Sequence, residues 1–97
     1  MHLGYAVSGD WLLRYAVDYA IGKIYDDPAN RVSMARWHIR LVSKLRNLRV
    51  LGTCIDGKAH YLFSLGDEEE QPTPKQIARL KKVMHMEDEP KLYEPFD

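Results

Sequence analysis

Cysteine is nearly missing from this chain: Cys54 stands alone among 97 residues. One thiol cannot close an intrachain disulfide, and small secreted domains usually rely on several, so the sequence points to a reducing, cytoplasmic setting. No apolar run approaches the length that spans a bilayer, so no membrane partner is expected. The segment Met1 to Asp10 has no basic cluster, and Ser8-Gly9-Asp10 interrupts its apolar run, so no signal segment is expected either. An excess of either charge is also lacking. Fourteen basic and fourteen acidic residues give a formal net charge of zero, which removes any global attraction to nucleic acid, anionic lipid or acidic substrate and leaves only local electrostatic roles.

The patterns of site chemistry are equally sparse. His2, His38, His60, His85 and Cys54 are the strong soft-metal ligands, and no two fall at the short spacings of zinc sites. No metal or cofactor is expected, and His38 reads as part of the core-facing stripe of the second helix. Cys54 and His60 lie across a predicted hairpin, but the register puts them on opposite faces, where they cannot share a proton. Ser8-Gly9-Asp10 lacks the flanking glycines of a nucleophile elbow and reads as a helix cap. Gly9 opens a helix without a glycine-rich loop, and Asp10 repels phosphate. The carboxylates gather in linker and tail, where water keeps them ordinary acids. These absences predict a protein that is not an enzyme.

What is present suits one domain, 1–97, with a single core. Leu3 to Val7 is a short apolar run bounded by turn residues and predicts a strand. From Trp11 to Tyr25, the residues Leu13, Ala16, Val17, Ala20, Ile21 and Ile24 recur at helical spacing and predict an inward face. Asp26-Asp27-Pro28 ends that helix and starts the next, with Asp27 as cap and proline in the first turn. The second helix runs from Pro28 to Leu45 or Arg46. Its apolar stripe is Met34, Trp37, His38, Leu41, Leu45 and Leu48, with Ser33, Arg36, Arg40, Ser43, Lys44 and Asn47 opposite.

Asp56-Gly57 between two β-rich runs is the signature of a two-residue type I′ hairpin over Val50 to Leu65. That register opposes Ile55 to Lys58, Cys54 to Ala59, Gly52 to Tyr61 and Val50 to Phe63. It predicts a greasy face of Val50, Cys54, Ala59, Tyr61 and Phe63 and a wetter one of Thr53, Ile55, Lys58 and His60. Residues 67–72 read as an acidic linker. Thr73-Pro74-Lys75-Gln76 then restarts helix with a capping box and proline at the first helical position, and Ile77, Leu80, Val83 and Met84 form its stripe. Residues 87–97 read as an irregular tail in which Leu92, Tyr93 and Phe96 can strap across the body. The expected fold is α+β in the order β-α-α-β-β-α, a small antiparallel sheet of the hairpin and the N-terminal strand with helices packed on one face.

The ending Pro72-Thr73-Pro74, then Ile77, Leu80, Lys81, Met84 and Glu89-Pro90 before Tyr93, together with Trp11-Leu12, resembles small uncharacterised proteins of mushroom-forming fungi. The resemblance covers about a third of the chain and implies no activity. Where that ending leads one to expect an aromatic residue directly after Glu-Pro, this chain has Lys91-Leu92.

Two surfaces emerge. Trp11, Tyr15 and Tyr19 step by four along the first helix, and aromatic residues with a polar tip are favoured at protein interfaces. They form a candidate protein interface, with core packing under the hairpin or tail as the alternative; an unpaired sheet edge is a second route to a homodimer. Arg36, Arg40, Lys44 and Arg46 form a basic face in a stretch from Pro28 to Ile55 that holds no acid. Followed by a hairpin, this is a candidate nucleic-acid contact in a winged-helix-like arrangement. A solvated face balanced by Asp18, Asp26, Asp27 or the acidic linker is the alternative. The functional expectation is a protein-interaction or homo-oligomerisation module first, and a nucleic-acid-binding domain second.

Overall fold

Asp56 and Gly57 both take positive φ, 52° and 79°, the backbone that a type I′ turn demands. They join strands Arg49–Ile55 and Lys58–Asp67 in the expected register, with Val50 opposite Phe63 and Cys54 opposite Ala59. The computed structural model describes residues 1–22 and 27–96, so the expected placements of Ile24, Tyr25, Asp26 and Asp97 lie outside the described residues. In chain order the elements are β1 (His2–Val7), α1 (Gly9–Asp18), α2 (Pro28–Ser43), β2 (Arg49–Ile55), β3 (Lys58–Asp67), α3 (Pro74–Val83) and β4 (Lys91–Tyr93). The sheet is antiparallel in the order β2-β3-β1-β4. The class is the α+β fold expected, with one strand more.

Local chemistry sets the helix starts. The Ser8 hydroxyl accepts the Trp11 amide at 3.1 Å, and the Asp27 carboxylate accepts the Ala29 amide at 3.2 Å ahead of Pro28. Thr73 and Gln76 complete the capping box in both directions. The helix ends are less ordinary. Ala20, Lys44 and His85, at φ 52°, 56° and 55°, follow α1, α2 and α3 in the left-handed region that normally calls for glycine. Ile21 donates to the Ala16 carbonyl and Ala20 to that of Val17, and Met86 and His85 repeat the pattern onto Lys81 and Lys82. Those paired bonds are Schellman closures. Because of the first of them α1 stops at Asp18 instead of continuing toward Tyr25.

The core lies between the helices and one sheet face: Tyr5, Val7, Phe63 and Leu65 meet Leu12, Tyr15 and Ala16 of α1, Val32, Ala35 and Ile39 of α2, and Leu80 and Met84. Both long helices are rotated from the expected orientation. On α1, Leu12 and Tyr15 point inward while Val17 is exposed. On α2, Val32, Ala35, Ile39 and Ser43 are buried, whereas Met34, Trp37 and Leu41, expected in the core, face solvent. Small residues explain the choice: Ala16 and Ala35 are fully buried and let the helices approach one another and the sheet, which a tryptophan on that side would prevent.

The sheet's other face is wet near the turn, where Lys58 is exposed and Ile55 and His60 are half-buried, but not at Thr53. On the face expected to be greasy, Cys54 and Ala59 are exposed because they lie at the turn end of the hairpin, beyond the helices. Leu62, Thr53 and Ser64 are all at most 2% exposed, and the tail runs beside them. After pairing with β1, where Tyr93 lies opposite His2, the chain reaches β2 within two residues. The Thr53 hydroxyl donates to the Glu94 carbonyl at 2.8 Å, and the Phe96 amide donates to the Gly52 carbonyl at 2.8 Å. Two residues reach about 7 Å, while the outer strands of a flat four-stranded sheet stand about 14 Å apart, so the sheet is strongly curled. The tail is thus a strand and a strap. Likewise Asp67, assigned to the linker, ends β3, and its carboxylate accepts the Glu69 and Glu70 amides at 2.9 and 2.8 Å.

Candidate interaction surface

The aromatic row expected as an interface is internal at Tyr15, half-buried at Trp11 and exposed at Tyr19. Trp11 stacks on Tyr15 with centroids 5.6 Å apart, and Tyr15 packs on Tyr19 at 4.5 Å. Tyr15 is buried, and its hydroxyl pairs with His38 Nδ1 at 2.8 Å. Burial, followed by the neighbouring Tyr19, pushes the Tyr15 phenol up to about 12, so it stays neutral. Trp11 is half-buried; Tyr19, whose hydroxyl pairs with His85 Nε2, is the member of the row that reaches the surface. A residue walled in as Tyr15 is cannot meet a partner, which corrects the expectation for that position. A polar end satisfied by His38 is what allows Tyr15 to sit in the core.

The basic face is divided. Residues spaced by four advance about 40° around a helix at each step, and the structure follows that drift. The Arg36 guanidinium lies 5.3 Å above the Tyr61 ring. Arg40 and Arg46 join Arg49 and His2 around a cleft of about 270 Å³ that also has Asp67 and Glu70 on its walls. The Asp67 carboxyl is held below its ordinary value, mainly by the amides of Glu70 and Glu69 and then by His2 and Arg49. Lys44, turned by its left-handed backbone, lines another cleft. The hairpin lies within the sheet, with β3 between β2 and β1, and does not stand off as a wing.

Sequence reasoning missed the surface that faces away from the core. At 100° per residue, Trp37 lies about 160° from Ile39. Met34, Trp37, Leu41 and Val42 are 43%, 64%, 61% and 49% exposed. Val42, about 60° from Ile39, lies apart from the other three toward α3, where with Val83 and Tyr19 it lines a cleft of about 450 Å³ bordered by Lys44, Arg79, Lys82 and His85. A signal for it was present: α2 carries two opposed apolar stripes, Val32, Ala35 and Ile39 and Met34, Trp37 and Leu41, and only one of them can face a core on one side of the helix. Neither α2 nor α3 contains an Asp or Glu. Among the described residues no three histidine, cysteine or acidic side chains gather into a metal-binding cluster, and no helix is long and apolar enough to cross a membrane. No protein-family model, curated protein or solved structure matches the chain.

Proposed function

We propose that this chain is a non-enzymatic protein-interaction module whose docking surface is the outer side of α2 and the cleft between α2 and α3. One observation carries the reading: Met34, Trp37 and Leu41 share an exposed stripe on a helix whose opposite side already supplies the core, and Val42, nearer the core side, is exposed where α2 meets α3. Chains of this size have few large apolar residues to spare. Exposed tryptophan and methionine in a continuous patch are characteristic of interfaces, where tryptophan often carries a large share of the binding energy. The sheet edge is the weaker route to assembly, because the strap already engages Gly52 and Thr53 on the outer side of β2. Nucleic-acid binding is the second reading, favoured by the carboxylate-free surface of α2 and α3 and disfavoured by the division of the arginines.

The test places a photo-cross-linking amino acid at Trp37 or Leu41, with Lys58 and Lys75 as control positions, in cells that make the protein. A discrete protein adduct from the first pair and none from the controls is the expected result. Equal labelling at all four positions rejects the reading. Duplex DNA binding that weakens steeply with salt and is unchanged in Trp37→Ser favours the nucleic-acid alternative.

A further inference from the structure

We infer that the occupant of this surface is an acidic amphipathic segment of a partner protein, with apolar side chains at helical spacing flanked by Asp or Glu. The inference rests on the docking surface proposed above and adds the chemistry of what docks there. It begins with the cleft beside Val42. Its floor is apolar, from Val42, Val83 and the Tyr19 ring, and its border holds Lys44, Arg79 and Lys82. All three cations are exposed. Among the described residues the ion pairs are Met1 with Glu68 and Lys81 with Glu89, so neither pair answers the cations at the cleft.

Helix ends provide the competing explanation. Tyr19, Lys44 and His85 all lie at or just past the C-termini of their helices and all line this cleft. Basic side chains are favoured beside such termini, each of which carries about half a negative charge. Three termini amount to roughly one and a half negative charges against three full positive ones, so a positive excess remains. Two of the termini are moreover already closed by their own Schellman bonds.

A second copy of the chain is a poor occupant. Arg40, about 60° from Trp37 around the helix, flanks the exposed stripe on one side. In a two-fold pair of antiparallel α2 helices that side meets its own counterpart, bringing like charges together across the contact. A partner that supplies carboxylates at the flanks removes this repulsion and fills the floor with its apolar side chains. Laying the apolar side of an amphipathic helix into a groove, with anchors spaced by three and four residues, is a general recognition mode.

The experiment uses the full chain and a synthetic helical peptide with leucine and phenylalanine at i, i+3, i+4 and i+7 and glutamate at the flanking positions. The peptide with each glutamate replaced by glutamine serves as its control, and both are followed by fluorescence anisotropy at low and moderate salt. The glutamate peptide is expected to bind at least about tenfold more tightly than the control at low salt, with the gap narrowing as salt rises. Arg79→Glu combined with Lys82→Glu, both exposed positions, should remove that preference, and Val42→Asp should weaken both peptides. Equal affinity for the two peptides, or a preference that survives the charge reversal, overturns the inference, as does failure of both to bind. Binding to phosphatidylglycerol vesicles that the glutamate peptide cannot displace overturns it in favour of a lipid surface. Equal affinities that are both lost in Val42→Asp sink the acidic requirement while leaving the docking surface standing. The cross-linking at Trp37 tests the surface separately.

Discussion

Two positions on α2 separate the structure from the orientation that its sequence suggests. Ile39 is fully buried among core residues, whereas Trp37 is 64% exposed on the opposite side. Ile39→Ala removes three carbons from a closed environment and should cost about 2–5 kcal/mol. That is a large share of the roughly 5–15 kcal/mol available to a natural domain. For a chain of this length each kcal/mol corresponds to about 4–8 °C in Tm, so a loss of roughly 8 °C is the smallest expected. Trp37→Ala should stay within about 0.5 kcal/mol, although it deletes the larger side chain, because its ring is mostly in water before and after unfolding. Urea unfolding followed by circular dichroism measures both changes, and a shift in midpoint at constant m reads stability directly. A greater loss for Trp37→Ala than for Ile39→Ala would refute the rotation of α2, and with it the docking surface.

Two further expectations follow from the site and the sheet. The Tyr15 phenol is raised from 10.0 to about 12, so between those pH values the unfolded chain releases this proton and the folded chain keeps it. Stability therefore falls as pH rises through that window. Tyr15→Phe should flatten that part of a pH series of urea midpoints, and an unchanged slope would contradict the assigned burial. Glycines on the sheet should differ sharply: a Cβ at Gly4 collides with the Phe63 carbonyl of the paired strand, whereas at Gly52 it meets the Phe96 ring at 2.7 Å. Backbone cannot yield but a half-exposed ring can, so Gly4→Ala should cost about 1–3 kcal/mol or more and Gly52→Ala much less. Thermal melts of the two variants decide this, and equal losses would count against the close approach of Gly4 to β3, where the register shifts so that Leu3 pairs with Gly66 and Gly4 with Ser64.

Features written in a few adjacent residues were legible in the sequence. The hairpin register followed from Asp56-Gly57, whose backbone preference allows little else. The starts of the second and third helices followed from Asp27-Pro28 and the Thr73–Gln76 box, and that of the first was narrowed to Ser8 or Asp10, of which the structure uses Ser8, because a cap is settled by side chains within one turn. Tertiary packing decided which side of each helix was buried. On α2 the stripe of Met34, Trp37 and Leu41 and the stripe of Val32, Ala35 and Ile39 both satisfy helical periodicity, and only the close approach of α1 and the sheet, made possible by Ala16 and Ala35, selects the second. It also made a strand, β4, of an ending expected to be irregular and fixed where its strap attaches, since Thr53 and Gly52 find their hydrogen-bond partners some forty residues along the chain. The candidate surface belongs to this second group. Its apolar stripe exists because the core took the other side of α2, and its basic border exists because three helices end at one place, a convergence of distant residues that spacing along a chain does not encode.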